Sequence, residues 1–224
     1  MIDSLGQLLG SGVGVALSPI PIIAVILMLG TPRARSNGLA FALGWVIGLT
    51  AATTIVLVLA SGADESGSTA ADGVHISSLV IGALFLALAV RQWQQRPKAG
   101  AAPELPAWMA GIDGFSGAKS FGLGAALSGV NPKNLALAVS AATALAASGA
   151  TTGGNVAGVA LFVLVGSLSV AGPVLGFLAA RGRVEPLLAG AKQWMVANNS
   201  TIMIVLFSLL GATKLGDGIA SLAN

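Results

Sequence analysis

Gly12-Val13-Gly14-Val15-Ala16-Leu17-Ser18-Pro19-Ile20-Pro21 sits inside an uncharged run from Ser4 to Pro32. At an offset of 110 the chain reads Gly122-Leu123-Gly124-Ala125-Ala126-Leu127-Ser128, with five of seven positions identical. The same offset pairs Gly44, Val46 and Gly48 with Gly154, Val156 and Gly158. Both copies then break, the first at Ser18-Pro19-Ile20-Pro21 and the second at Ser128-Gly129-Val130-Asn131-Pro132-Lys133-Asn134. Proline removes a backbone donor and clashes with the carbonyl four residues back, so each apolar helix is expected to kink or unwind there. The breaks fall about 13 or 14 residues into their helices, close to the middle of a bilayer.

Outward from these two stretches, the composition is that of a membrane protein. Of 224 residues 55% are hydrophobic and only 8% charged, where a soluble domain carries about 25%. The mean hydropathy is +0.89. Removing the charged positions leaves six runs: about Leu5–Leu29, Leu39–Ala60, Ile76–Val90, Ser120–Ala147, Val156–Ala180 and Asn199–Leu215. Each is too long and too continuous for the alternating strands of a barrel, so helices are expected. The fold class is thus an all-α integral membrane protein, with six transmembrane helices as two inverted three-helix repeats and broken helices at spans 1 and 4. Repeat one covers about 5–90, a cytoplasmic loop 91–119, and repeat two about 120–215. Three spans per half is an odd number, which inverts the second copy, a signature of secondary transporters.

Orientation follows from Lys and Arg. Arg33, Arg35, Arg91, Arg96, Lys98, Lys119, Arg181, Arg183 and Lys192 fall on one side, and only Lys214 on the other, where the loop between spans 2 and 3 holds Asp64, Glu65 and Asp72. The side with nine basic residues is expected to be cytoplasmic, so both termini face outward. The four tryptophans, Trp45, Trp93, Trp108 and Trp194, are expected at the inner interface. Met1-Ile2-Asp3-Ser4 lacks a basic leader, so span 1 is expected to be retained.

Lys133 is the one charge in the interior of a span, Lys214 standing at the very end of the last, and a lysine at the bilayer centre costs roughly 2.5–3.5 kcal/mol. No Asp or Glu lies in the expected spans. Its ammonium is either solvated by Asn side chains and unwound carbonyls, neutral through loss of its proton, or matched by an anionic ligand. Helix capping and snorkelling are the bland readings. On the ligand reading, Ser18, Pro19, Pro21, Ser128, Asn131, Pro132, Lys133 and Asn134 line a substrate or ion pathway. On the same logic Lys133→Met should leave the fold intact, because a buried charge often contributes little stability.

Asn198 and Asn199 stand where span 6 enters from the inner face, as a helix cap or an inner gate. Pro173 should bend span 5. The pairs Gly10/Gly14, Gly44/Gly48, Gly154/Gly158 and Gly172/Gly176 have the spacing of close helix contacts within the bundle, with dimerisation second. His75, the single histidine, is expected at the surface. Without cysteine, and without His or carboxylates in the spans, neither a metal site nor a cofactor nor an enzymatic nucleophile–base pair is expected. No Gly-x-x-x-x-Gly-Lys-Ser/Thr phosphate loop occurs.

Three stretches carry a family resemblance. They are Leu17-Ser18-Pro19-Ile20-Pro21-Ile22-Ile23-Ala24-Val25-Ile26-Leu27-Met28-Leu29, Ser128-Gly129-Val130-Asn131-Pro132-Lys133-Asn134-Leu135, and Lys192-Gln193-Trp194-Met195 followed by Asn198-Asn199 and Ile202-Met203. Through them the chain resembles the glycolipid-addressing protein (GAP) family of the lysine-exporter (LysE) superfamily. The resemblance implies a six-helix exporter in the bacterial plasma membrane. Its substrate would be a small or amphiphilic solute, such as a glycolipid or an anionic or zwitterionic metabolite, moved by alternating access with proton coupling. The partners expected are membrane lipids, that substrate and a second copy in a homodimer, but no nucleic acid. The rival reading is a non-transporting membrane scaffold that assists glycolipid synthesis or delivery.

Overall fold

The structure is a computed structural model that describes residues 2–64, 70–97 and 106–222, with side chains at 4–61, 78–97 and 106–220. The described residues are helical and hold no strand. Helix α1 (Ile2–Ala16) and α2 (Pro19–Leu29) are the halves of one broken run, bent by 51°. Helix α3 (Ala34–Asp64) and α4 (Ala70–Gln94) follow, then a 3-10 turn at Ala107–Gly114. Helices α5 (Gly117–Gly129) and α6 (Pro132–Ala146) are the second broken pair, and α7 spans Thr152–Leu222.

Both breaks are made by local chemistry. Ser18 leaves the helical region (φ −122°, ψ 93°) because Pro19 disfavours a helical conformation in the residue before it. Pro19 then serves as the first residue of α2, where its missing N–H is no loss. In the second pair Asn131 is the N-cap of α6: its side chain accepts the Lys133 N–H at 3.0 Å, with Pro132 at the first helical position.

The half-helices that follow the breaks form the centre of the molecule. Helix α2 is apolar all round, which marks a buried helix, and nine of its residues are buried, including Pro19, Pro21 and Ile23. Helix α6 buries ten, from Lys133 to Leu145. Around them α3 crosses α5 at backbone distance. A Cβ on Gly44 would fall on the Phe121 carbonyl, one on Gly48 on Ser128 and Ala125, and one on Gly124 on the Phe41 carbonyl. Such close approach is what small residues permit in membrane bundles. A similar seam joins α4 to the last part of α7, where Gly82 faces Leu215, Gly211 faces Leu86, and Phe85 stacks on Phe207 at 5.9 Å.

Helix α7 is two arms rather than one rod. Ala180 has non-helical φ −152° and ψ 57°. A Cβ on Gly176 would lie 3.4 Å from Val184, whereas eight residues along a straight helix are ~12 Å apart. The chain therefore folds back between arm 152–179 and arm 181–222. Among the described residues two helices, or three when the bent α1–α2 pair is taken as one, are long and apolar enough to cross a membrane.

Several expectations change. The last helix begins directly after Ala180 rather than at Asn199, so Arg181, Arg183 and Lys192 are helical, with Arg181 Nε 2.7 Å from Glu185. Asn198 is no cap: it lies mid-helix and its Nδ2 donates to the Trp194 carbonyl four residues back, at 2.9 Å. Pro173 sits inside helical backbone, and the reversal comes at Ala180, where span 5 was expected to end. Trp45 is 0% exposed in the core, because it lies ~16 Å into the long α3 helix rather than at its end. Gly10 and Gly172 face open space and make no close helix contact. The His75 side chain lies outside the described residues.

Candidate functional site

At the first break the backbone has more acceptors than donors. In a continuous helix the Ser18 N–H would reach Gly14, and residues 19 and 21 would serve Val15 and Leu17. Both are proline, and the Ser18 N–H bonds to the Ala16 carbonyl instead, at 2.9 Å. The carbonyls of Gly14, Val15 and Leu17 are thus left over, and inside a bilayer each needs a partner.

Lys133 supplies two of them. Its Nζ donates to the Gly14 carbonyl at 2.6 Å and to the Leu17 carbonyl at 3.3 Å, with a third bond to Ser18 Oγ at 2.6 Å. Ser18 Oγ in turn donates to the Val15 carbonyl at 2.7 Å. Ser169, from arm 152–179, donates to the Ala16 carbonyl at 2.7 Å. An ammonium has three donors, and all three are used here. The charge also faces the C-terminal end of α1, where the helix dipole is negative. With 4% of its surface exposed, Lys133 is solvated by protein. The partners are two carbonyls of the unwound turn, which the sequence reading offered, and a serine hydroxyl in place of the asparagine side chains it named with them.

The second break is closed by its own asparagines. Asn134 Nδ2 donates to the Leu127 carbonyl at 3.1 Å. Its Oδ1 is buried without a protein partner. Ser128 Oγ donates to the Ala125 carbonyl at 3.2 Å, in the α3–α5 seam.

The two breaks meet in one cavity of about 180 Å³. Ser18, Pro19 and Pro21 line it from one side and Asn131, Pro132 and Lys133 from the other, with Leu88, Met203 and Phe207 closing it. Ser128 and Asn134 are not among its lining residues. Ser18 and Pro19 also line a second cavity, of about 520 Å³, which runs along arm 181–222 past Asn198 and Trp194. Asn198 therefore joins the site from the side, and Asn199 does not line that cavity.

A sequence reading has no signal for Leu88, Phe207 or Ser169, whereas Met203 lies in one of the three stretches that carry the family resemblance. Ordinary apolar and small residues acquire a role only through the elements that carry them to the breaks. Among the described residues no group of three or more His, Cys, Asp or Glu could hold a metal ion. With the fold and the paired breaks in place, comparison adds one finding: the family model described as Sap, sulfolipid-1-addressing protein, matches residues 8–220. Neither a curated protein nor a solved structure matches the chain.

Proposed function

The chain belongs to the sulfolipid-1-addressing protein family, and on that premise we propose that it exports a glycolipid or similar amphiphile across the plasma membrane. Helices α1–α2, α3, α4, α5–α6 and the two arms of α7 are read as six crossings in two inverted halves. The packing is in keeping with this: α3 lies against α5 and α6, while α7 lies against α1 and α2. The halves would rock about the paired breaks, opening the central cavity to each side in turn.

The observation that carries the reading is the Lys133 bridge. A charge of the second half is bound to the broken end of the first by three hydrogen bonds and no ion pair. Such a joint can be exchanged. An acidic or carbonyl group of a substrate can compete for the ammonium, and loss of its proton removes both the charge and one donor. This is where proton coupling is proposed to enter.

The purified protein in liposomes tests export against the scaffold reading. With a labelled glycolipid in one leaflet and an imposed pH gradient, transbilayer movement is expected well above that of protein-free vesicles. Lys133→Met should lower it at least tenfold. Movement equal to that of empty vesicles would leave the scaffold as the better account, since a scaffold moves nothing by itself.

A further inference from the structure

Helix α4 and arm 181–222 meet at the central cavity and pack unevenly along their length. They run antiparallel, since Gly82 faces Leu215, Gly211 faces Leu86 and Gln92 faces Ser200. On the side of the cavity away from Arg96 the contact is at backbone distance. A Cβ on Gly82 would fall on the Leu215 N–H and one on Gly211 on Leu86, while Phe85 stacks on Phe207. Contacts this close leave no space for water.

On the other side of the cavity, past Leu88 and Met203 on its wall, the same seam turns polar. One turn, or ~6 Å, along α4 from Leu88, Gln92 Nε2 donates to Ser200 Oγ at 3.3 Å. Asn199, next to Ser200 and one turn from Met203, has a buried Oδ1 with no protein partner. Buried polar atoms are as a rule bonded to protein or to ordered water, and here protein offers nothing. Another ~6 Å along α4 lies Arg96, exposed and stacked over Trp93 at 3.8 Å. The exposed end of α4 is thus joined to the cavity by a polar group, Gln92, Asn199 and Ser200, and then by the Leu88–Met203 pair. The cavity, of about 180 Å³, has room for several waters at ~30 Å³ each. Ser18, Asn131 and Lys133 on its wall give them polar partners.

We propose that water reaches Lys133 from the Arg96 end of this seam, held on the way by Asn199 and admitted between Leu88 and Met203, while the half of the seam beyond Leu86 stays shut. The inference rests on the export reading for its purpose: a proton exchanged at Lys133 has to arrive through water from one side at a time. No other titratable side chain among the described residues lines the cavity. On the helices packed round α6 the charges stand towards the ends, as Asp3 does on α1, Arg35 and Asp64 on α3, Lys119 on α5, Arg91 on α4, and Lys192 and the Lys214–Asp217 pair on the arm. The proton therefore has no carboxylate or imidazole relay and moves on water alone. Met203 suits a movable gate, because an unbranched thioether side chain changes rotamer readily.

The chain has no cysteine, so single cysteines report access to water. The full chain is placed in sealed membrane vesicles of both orientations and treated with silver ion, which binds a thiolate and passes through water-filled routes but not through lipid. Arg96→Cys marks the preparation that offers the Arg96 face, whichever way the protein is inserted. Ile20→Cys on α2 and Met203→Cys on the arm both report the cavity, so one remains if the other fails to fold. Both, and Asn199→Cys, are expected to react at least tenfold faster from the Arg96 face than from the opposite face, and Leu86→Cys should resist from both. Leu88→Trp should slow the two cavity cysteines at least fivefold and leave Asn199→Cys unchanged. Reaction of the cavity cysteines from the opposite face, or from neither, would overturn the inference. So would cavity cysteines that react as fast with Leu88→Trp as without it, because water would then enter along the larger cavity beside Asn198. If the cysteines react as expected and liposomes export nothing, the water route stands and the export reading falls. If export persists while the cavity is closed to silver from the Arg96 face, the reverse holds.

Discussion

At the scale of single residues, Lys133 separates two expectations of opposite sign. As a lone buried charge it is dispensable to the fold, and methionine should leave the melting temperature unchanged or higher. In the structure it holds the Gly14 and Leu17 carbonyls and Ser18 Oγ. Methionine relieves the burial of a charge, a gain of roughly 2.5–3.5 kcal/mol on insertion scales. It also orphans two carbonyls and removes a partner from the hydroxyl, at about 1–3 kcal/mol each. The acceptors win, and Lys133→Met is expected to destabilise by about 1–3 kcal/mol. A melting temperature at or above the unmodified protein's would show that the carbonyls find other partners. Ser18→Ala removes one hydrogen-bond partner from the ammonium and frees the Val15 carbonyl without relieving a buried charge, so a loss of about 2 kcal/mol or more is expected. Lys133→Arg keeps the charge but cannot shed a proton. It should retain part of the substrate binding and lose the response of transport to the pH gradient.

At the scale of elements, the α3–α5 crossing depends on absent side chains. Gly124 faces the Phe41 carbonyl directly, whereas Gly122, two residues earlier and on the opposite side of the same helix, has nothing within 4 Å of where its Cβ would stand. Two chemically identical substitutions therefore make a controlled pair. Gly124→Leu must push α5 off α3 and should destabilise by about 1–3 kcal/mol or more. Gly122→Leu, pointing into open space, should leave thermal unfolding in the same detergent nearly unchanged. Equal effects would mean that helix propensity, not close approach, sets the value of these glycines. The crossing also supports the site, because α5 leads into Asn131 and α6 and so sets where Lys133 reaches.

At the scale of the whole molecule, topology is the property on which the rocking mechanism depends. Nine basic residues on one side against Lys214 on the other predict a cytoplasmic loop near Gly100 and extracytoplasmic termini. A reporter after Asn224 should be active only outside and one at Gly100 only inside. A cytoplasmic C-terminus would remove the inversion between the halves. Lys214, the exception to the charge count, is held by Asp217 at 3.2 Å on the same helix, so its charge is locally balanced.

Much of this was legible before any tertiary contact was known, because it is dictated by near neighbours. Proline without an N–H breaks its own helix, so both interruptions, at Ser18–Pro21 and Asn131–Lys133, could be read from the residues alone. Long apolar runs have to be helical in lipid, and Lys133 stood out as the one charge in the interior of any of them. The end of span 5 at Ala180 was legible from the charges of Arg181 and Arg183 that follow it, but the tight form of the reversal was not: Pro173 and Pro186 both sit inside helix, and the residue that leaves it is an alanine. Trp45 looked interfacial by residue type and is core by position. The partners of Lys133 are backbone carbonyls more than a hundred positions away, and a carbonyl has no letter in a sequence. Only the packing of α6 against α1 decided that the ammonium would meet them. Which break a charge completes is a matter of three-dimensional neighbours, whereas where the chain breaks is a matter of its own covalent chemistry.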